Sequence, residues 1–331
     1  YETWRTSMYR ESVKIKELTL KEISSSIKTG KTPPSKELKY YDGEINWYTP
    51  GDLTEKKVLS KSSRTITSLA LKERKATLHK QGTLLVGCIG DIGKIGICIQ
   101  DSSSNQQITG IHPIDEVDVN YLYYWFRGNK QKLASYANNS VVPILNNRIL
   151  GTVKLPVPPL EEQKKIAAIL DAADNYRQKT KALIDKYDQL TQSLFLDMFG
   201  DPVTNPKGWE VKQLKQILNP NRPLTYGILK PEEHDVDGVV MLRIQDIKGS
   251  NVNRGEFHKV SRSLSLRYKR TILKGGEIVI SLVGTIGLTA KIGNHLKDAN
   301  LHRNLGLISL NENMILQDYF FNYTLSIGFS F

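Results

Sequence analysis

Leu155-Pro156-Val157-Pro158-Pro159-Leu160-Glu161-Glu162-Gln163-Lys164-Lys165-Ile166-Ala167-Ala168-Ile169-Leu170 changes character at its middle. Pro156, Pro158 and Pro159 bar a helix upstream, whereas Glu161 and Glu162 suit the positive end of a helix dipole. From Glu161 to Phe199 there is neither Gly nor Pro, and Gly200-Asp201-Pro202 closes the run. Within it Ile169, Ala173, Tyr176, Thr180, Leu183, Tyr187, Leu190 and Leu194 alternate at spacings of four and three, a heptad seam interrupted by one polar residue. The pattern predicts a long helical spacer over residues 160–200, about 60 Å from end to end at about 1.5 Å per residue. Ile169, Ala173, Tyr176, Leu183, Tyr187, Leu190 and Leu194 are the residues expected to pack against a partner helix.

The sequence on one side of this helix is read again on the other. Comparing residue n with n+194, Leu20-Lys21-Glu22-Ile23 falls on Leu214-Lys215-Gln216-Ile217 and Asp52-Leu53 on Asp246-Ile247. Gly90-Asp91-Ile92-Gly93 then meets Gly284-Thr285-Ile286-Gly287, with no gap needed across the span. After a three-residue slip Ile111 faces Ile308, and Leu122-Tyr123-Tyr124 faces Tyr319-Phe320-Phe321. So long a period is no solenoid unit; the duplicated object is a whole domain. The chain therefore divides into a first domain over 1–159, the spacer over 160–200 and a second domain over 201–331. In the shifted register Phe331 matches Ala134, so counterparts of residues 135–200, including a second long helix, are expected to be absent.

Length and composition agree. A chain of 331 residues with 39% hydrophobic content has material for two ordinary cores. Cys88 and Cys98 have Leu282 and Ile292 as counterparts and no metal-ligand spacing, which suits buried thiols in a reducing compartment. The longest apolar runs, Leu84 to Ile89 and Ile278 to Val283, are strand-length and far short of a membrane span. Tyr1-Glu2-Thr3-Trp4-Arg5 opens without a secretory pattern, and the expected location is the cytoplasm.

Charge is unevenly spread. Residues 1–160 carry 23 Lys and Arg against 15 Asp and Glu, residues 161–200 carry 6 against 7, and residues 201–331 carry 17 against 12. The excess of +12 thus sits in the repeated domains and avoids the helix. Basic domains favour a polyanion through counterion release, and Lys72-Glu73-Arg74-Lys75 and Arg267-Tyr268-Lys269-Arg270 occupy nearly matching places in the two copies. A nucleic acid is the partner this favours.

Each copy reads as mixed α and β. Gly82 to Gly90, matched by Gly276 to Gly284, is a buried strand bounded by glycines and followed by a second short β segment, hence a hairpin with tight turns. Val119 to Phe126 and Leu316 to Leu325 are aromatic-rich amphipathic stretches that suit core helices. The fold class expected is α+β, with two repeated globular domains joined by a long helix. Long polar connections at 28–44, 53–68, 102–109, 219–237 and 249–265 are where recognition is expected.

Catalytic motifs fail on inspection. Gly87-Cys88-Ile89-Gly90-Asp91-Ile92-Gly93-Lys94 has five residues between Gly87 and Gly93 and Ile95 after the Lys, where a phosphate loop needs four and a hydroxyl. The second copy puts Leu288 in place of Lys94, so the glycines serve backbone geometry. Lys31-Thr32-Pro33-Pro34-Ser35 is not an amino-methyltransferase motif, and the His residues form no metal-ligand cluster. The chain is expected to be non-catalytic, with no metal and no cofactor.

In the order domain, helix, domain, the chain resembles the specificity subunits of type I restriction-modification systems. The stretch Leu155 to Leu170, leading into Leu194-Phe195-Leu196-Asp197-Met198-Phe199-Gly200-Asp201-Pro202, looks like the family hallmark. Thr29-Gly30-Lys31-Thr32-Pro33, Trp47-Tyr48-Thr49-Pro50-Gly51-Asp52-Leu53, Leu224 to Pro231 and Leu242 to Ile247 support it. The resemblance implies that each domain is a target recognition domain binding one half of a split DNA target. It also implies that the family's conserved helix sets the gap and docks two methyltransferase (M) subunits, which would hold S-adenosylmethionine, with restriction (R) subunits in the full complex. Self-association through the helix is a further expected contact, and a dimeric DNA-binding regulator is the alternative reading.

The residues expected to meet DNA are Lys28, Lys31, Thr32, Ser35, Asp52, Arg64 and Gln106 in the first domain. Arg222, Thr225, Tyr226, Arg243, Gln245, Arg254 and Arg303 are their counterparts in role in the second. Arg and Gln can make paired hydrogen bonds to base edges, whereas Lys mostly holds phosphate.

Overall fold

The buried runs Leu84–Gly87 and Ile278–Ser281 become central strands of two sheets that share a strand order. The computed structural model describes residues 15–137, 142–253 and 255–326. Its contacts divide into two units, 1–179 and 180–331.

The first unit holds β1 (Lys16–Thr19), β2 (Ser24–Thr29), β3 (Tyr41–Tyr48), β4 (Val58–Leu59) and β5 (Arg64–Ile66), then α1 (Ser68–Lys72). β6 (Leu84–Gly87), β7 (Ile95–Cys98), β8 (Ser103–Ser104), β9 (Ile108–Pro113), α2 (Val119–Gly128), α3 (Lys130–Ser135), α4 (Asn147–Thr152) and β10 (Lys154–Val157) follow. One sheet runs β2-β9-β6-β7-β4, a second β5-β3-β8, and β1 pairs with β10. The fully buried Leu84, Ile111, Leu122, Phe126, Leu150 and Leu155 seat the large sheet against α2, α4 and β10. Removing such side chains from water is the main term holding the unit together.

The second unit repeats the plan after the long helix α5 (Leu160–Phe199) and the single turn α6 (Leu214–Ile217). Its strands are β11 (Thr225–Tyr226), β12 (Val239–Leu242), β13 (Ile247–Lys248), β14 (Asn251–Val252) and β15 (Lys259–Val260). After α7 (Arg262–Arg267) come β16 (Ile278–Ser281), β17 (Thr289–Lys291), β18 (Asn300–Leu301), β19 (Leu305–Ile308) and α8 (Gln317–Leu325). The sheets β11-β19-β16-β17 and β15-β12-β18 reproduce β2-β9-β6-β7 and β5-β3-β8 strand for strand.

Register makes the duplication exact in places and corrects it in one. Trp47 pairs with Ser103 as Met241 pairs with Asn300, which confirms the slip between the hairpin and the next strand. Lys28 pairs with Gly110 and Thr225 with Leu307, so here the equivalence is already n+197. The gap-free match from Leu20 to Gly93 therefore breaks locally. Three extra residues enter before β11 and are given back before β12, because connecting loops accept insertions that a paired strand cannot. Gly90 and Gly93, like Gly284 and Gly287, have φ between 79° and 85°, the left-handed region a tight hairpin turn demands.

Helix α5 spans 40 residues, and its first half packs on the first unit through a polar stripe and not through the heptad seam. The buried Gln163 side chain donates to the carbonyls of Glu116 (3.1 Å) and Pro158 (2.8 Å) and accepts from the Asp118 N–H (2.9 Å). Further along, Asp171 binds Lys57 and the Tyr124 hydroxyl, and Asp174 meets Arg127 at 3.0 Å. In the second unit Phe195 and Phe199 stack around Tyr319. Along the seam Ile169, Tyr176, Leu183, Tyr187, Leu190 and Leu194 are between 50% and 75% exposed, and Ala173 is exposed too.

The β1–β10 pair has no counterpart in the second unit among the described residues. In its place lies an apolar hollow of about 610 Å³ bordered by Trp209, Val211, Leu214, Leu316, Tyr319 and Phe320. None of the described helices is long and apolar enough to cross a membrane.

Candidate nucleic-acid interface

In both units a glycine clamps a loop onto the next sheet. Gly30 N–H donates to the Ile108 carbonyl at 2.8 Å and Lys31 N–H to the Ser104 carbonyl at 2.8 Å. Gly227 donates to Leu305 at 3.3 Å and Ile228 to Leu301 at 2.7 Å, the same bonds in the second copy. These clamps bring the loop after β2 or β11 beside the residues that follow β8 or β18.

On the first unit this places Lys31, Thr32 and Gln106 together. The Thr32 hydroxyl donates to Gln106 Oε1, and Lys31 Nζ donates to the Arg74 carbonyl at 2.7 Å. Trp47 Nε1 reaches the Lys31 carbonyl at 3.3 Å and so fixes the loop from beneath. The Arg64 guanidinium lies over the rings of Tyr41 and Trp47, 4.7 and 5.3 Å from their centroids. Stacking holds the planar fork of an exposed Arg in place while leaving its N–H edge for a base or phosphate. Lys28 and Ser35 are exposed.

Asp52 does a different job. Its Oδ2 accepts from the N–H and hydroxyl of Thr49 at 2.7 and 2.8 Å, and Oδ1 accepts from Ser63 N–H at 2.7 Å. Burial alone would raise its pKa, but these donors outweigh it and hold the carboxyl below the ordinary carboxylate range. It shapes the turn after β3. Asp246, in the equivalent place, accepts from Arg243 N–H at 2.8 Å.

The second unit offers other side chains on the same frame. Arg64 corresponds to His258, because Trp47 pairs with Arg64 and Met241 N–H donates to the His258 carbonyl at 2.8 Å. By the later register Gln106 corresponds to Arg303 and Asn105 to His302. Arg243, Gln245, Tyr226 and Thr225 border this end of the sheet, with Gln245, Arg303 and Tyr226 exposed. Arg222 lies elsewhere: its guanidinium donates to buried Glu277 at 2.6 Å and to the Ile272 carbonyl at 2.8 Å, with the side chain 14% exposed. It holds the fold and is committed to that task. Arg254 lies outside the described residues.

The sequence reading missed His258 and His302. His258 stands opposite the candidate Arg64 at n+194, so transferring that position through the repeat finds it, whereas His302 stands at n+197 from Asn105, the neighbour of the candidate Gln106. No group of acidic, His and Cys side chains able to hold a metal occurs among the described residues.

One strand frame built twice, with unlike polar side chains set on equivalent strand ends, defines a protein of tandem duplicated α+β domains. Residues 12–187 match the type I restriction modification DNA specificity domain, and the chain belongs to that family. It is 34% identical over 208 residues to the type I restriction enzyme MjaIX specificity subunit of Methanocaldococcus jannaschii, covering 57% of this chain and 48% of that protein. It is 27% identical over 243 residues to the EcoBI specificity subunit of Escherichia coli, covering 66% of this chain and 51% of that one. The chain thus spans about half the length of these curated relatives. Its fold resembles the crystal structure of the type I restriction-modification S subunit from M. genitalium, with a TM-score of 0.53 at 14% identity over 97% of this chain and 79% of that chain.

Proposed function

We propose that this chain selects DNA sequence for a type I restriction-modification complex and catalyses no reaction itself. The observation that carries the reading is the pair of equivalent positions, Arg64 with His258 and Gln106 with Arg303, where one frame presents different hydrogen-bonding groups. Each unit reads one half of a bipartite duplex target, Arg and Gln contacting base edges and Lys31 phosphate.

Helix α5 sets the gap between the halves. Its exposed seam docks methyltransferase subunits and supports association between copies of the chain, and restriction subunits complete the assembly. S-adenosylmethionine belongs, on this reading, to the methyltransferase subunits.

The test is incubation of duplex DNA and labelled S-adenosylmethionine with the chain alone and with a methyltransferase subunit. Methyl transfer is expected only in the mixture, at a split target. Transfer by the chain alone, or transfer whose target is unchanged when this chain is exchanged for another specificity chain, overturns the proposal.

A further inference from the structure

We infer that Gln106 and Arg303 are equivalent tips that offer DNA only hydrogen-bond donors, and that Thr32 positions Gln106 to do so. Each tip then selects the keto oxygen of a base pair in the major groove, guanine O6 or thymine O4, and rejects an amino group. The inference rests on the DNA-recognition reading above and names what that face recognises at one place in each unit.

The turn that carries these side chains is built bond for bond in both units. Asn105 N–H donates to the Tyr48 carbonyl at 3.0 Å, and His302 N–H to the Leu242 carbonyl at 2.9 Å. Gln107 N–H donates to Asn105 Oδ1 at 3.1 Å, and Asn304 N–H to His302 Nδ1 at 3.3 Å. The Gln107 carbonyl accepts from Cys88 N–H and the Asn304 carbonyl from Leu282 N–H, both at 2.8 Å. Ile108 and Leu305 close the turns, their N–H groups donating to the carbonyls of Asn105 and His302 at 3.2 and 2.9 Å. Gln106 and Arg303 are the exposed residues between these anchors. Their backbones are thus held in place before DNA arrives, which lowers the ordering cost of binding.

What stands beside each tip differs in kind. Thr32 follows the clamped Gly30 and Lys31, and its hydroxyl donates to Gln106 Oε1. The two ends of a carboxamide point apart, so an oxygen held on Thr32 leaves Nε2 and its hydrogens for a base. An unrestrained Gln pairs with adenine by accepting from N6 while donating to N7. Thr32 closes that mode.

In the second unit Ile228 N–H bonds to Leu301 as Lys31 N–H does to Ser104, so the residue in the place of Thr32 is Leu229, which has no hydroxyl. None is needed there, because a guanidinium carries donors and no acceptor. Two different side chains on one turn thus reach the same chemistry. Guanine O6 and thymine O4 accept in the major groove, whereas adenine N6 and cytosine N4 donate. A tip that can only donate is satisfied by the first pair and faces hydrogen with hydrogen at the second. A transition, G·C to A·T or the reverse, exchanges the two at the same place in the groove.

The experiment maps the target of the full chain with a methyltransferase subunit in a randomised duplex library, then measures affinity for defined duplexes. Gln106→Ala and Arg303→Ala each locate, by relaxing it, the base pair their residue reads. At both pairs a transition should cost the wild type about tenfold in affinity. Base analogues lacking the keto oxygen should cost the wild type more than the alanine variant, and analogues lacking the amino group should cost both alike. Thr32→Val should bring the cost of the transition at the Gln106 pair toward parity, and Thr32→Ser should restore it. Arg303→Gln, beside Leu229, should tolerate the transition at its own pair. A wild type that depends on the amino group, or a Thr32→Val chain that keeps the full cost, overturns the inference. Alanine variants that relax no position also overturn it, and leave the DNA-recognition reading standing. A wild-type complex that selects no sequence overturns both.

Discussion

Gly30 and Gly227 hold the same place in the two units, each pressed against the strand segment that precedes the recognition end. A Cβ on Gly30 would come within 2.2 Å of Ser104 Oγ and 2.3 Å of the Asn105 carbonyl oxygen, and one on Gly227 within 1.9 Å of the Leu301 carbonyl oxygen. Backbone cannot yield as a side-chain tip can. Gly30→Ala or Gly227→Ala should therefore destabilise its own unit by roughly 1–3 kcal/mol, seen as a lowered thermal midpoint. A variant melting with the wild type would mean the loop is not clamped.

Arg64 and Lys31 lie in one cluster yet should fail differently. Arg64→Ala removes a stacked fork and should relax specificity in one half of the target at about 1–3 kcal/mol. Lys31→Ala should weaken all sequences alike and reduce the salt slope of binding by about 1. Target mapping and salt titration separate the two, and identical behaviour would sink the division of roles.

Arg222 bonds to Glu277, which also accepts from Lys274 N–H at 2.8 Å. Arg222→Ala leaves a buried carboxylate without its counter-charge and should cost about 3–5 kcal/mol of stability. Denaturant unfolding reads this directly. A variant of full stability but altered target preference would make Arg222 a reader after all.

His79 is buried, with Nε2 2.8 Å from Ser104 Oγ, and burial followed by the nearby Lys28 charge pushes its pKa down to about 4. Because the folded value lies below the unfolded one, the neutral ring contributes stability that is complete above about pH 6.5 and is lost as pH falls toward about 4. The loss attributable to this group is on the order of 3 kcal/mol. Melts at about pH 7 and about pH 4.5 should diverge for the wild type and less so for His79→Gln; equal divergence would show that other groups govern acid unfolding.

Inserting one heptad into α5 keeps the seam in phase and should widen the gap between the target halves by about 10 Å, roughly three base pairs. Insertion of four residues should shift it by about 6 Å and turn the seam, with some loss of stability. Mapped targets with unchanged gaps would count against a spacer role.

Period and punctuation determined much of this protein from sequence alone. Prolines before Leu160 and the unbroken run to Phe199 fixed the long helix, since these are local constraints on backbone geometry. The duplication foretold two sheets of one strand order, and the glycine pairs at 90, 93, 284 and 287 marked the hairpins, where all four have the left-handed backbone of a tight turn. Which side chains meet was decided by the tertiary structure. Arg222 and Arg243 are alike as letters, but one is drawn to the distant Glu277 and the other, just past the end of β12, meets the carboxylate of Asp246 three residues on at 3.5 Å. The heptad seam was legible, whereas the face of α5 that docks on the first unit was not. That face is made of Gln163, Asp171 and Asp174, whose partners are carbonyls and side chains distant in sequence, and hydrogen bonding of that kind leaves no hydrophobic period to read.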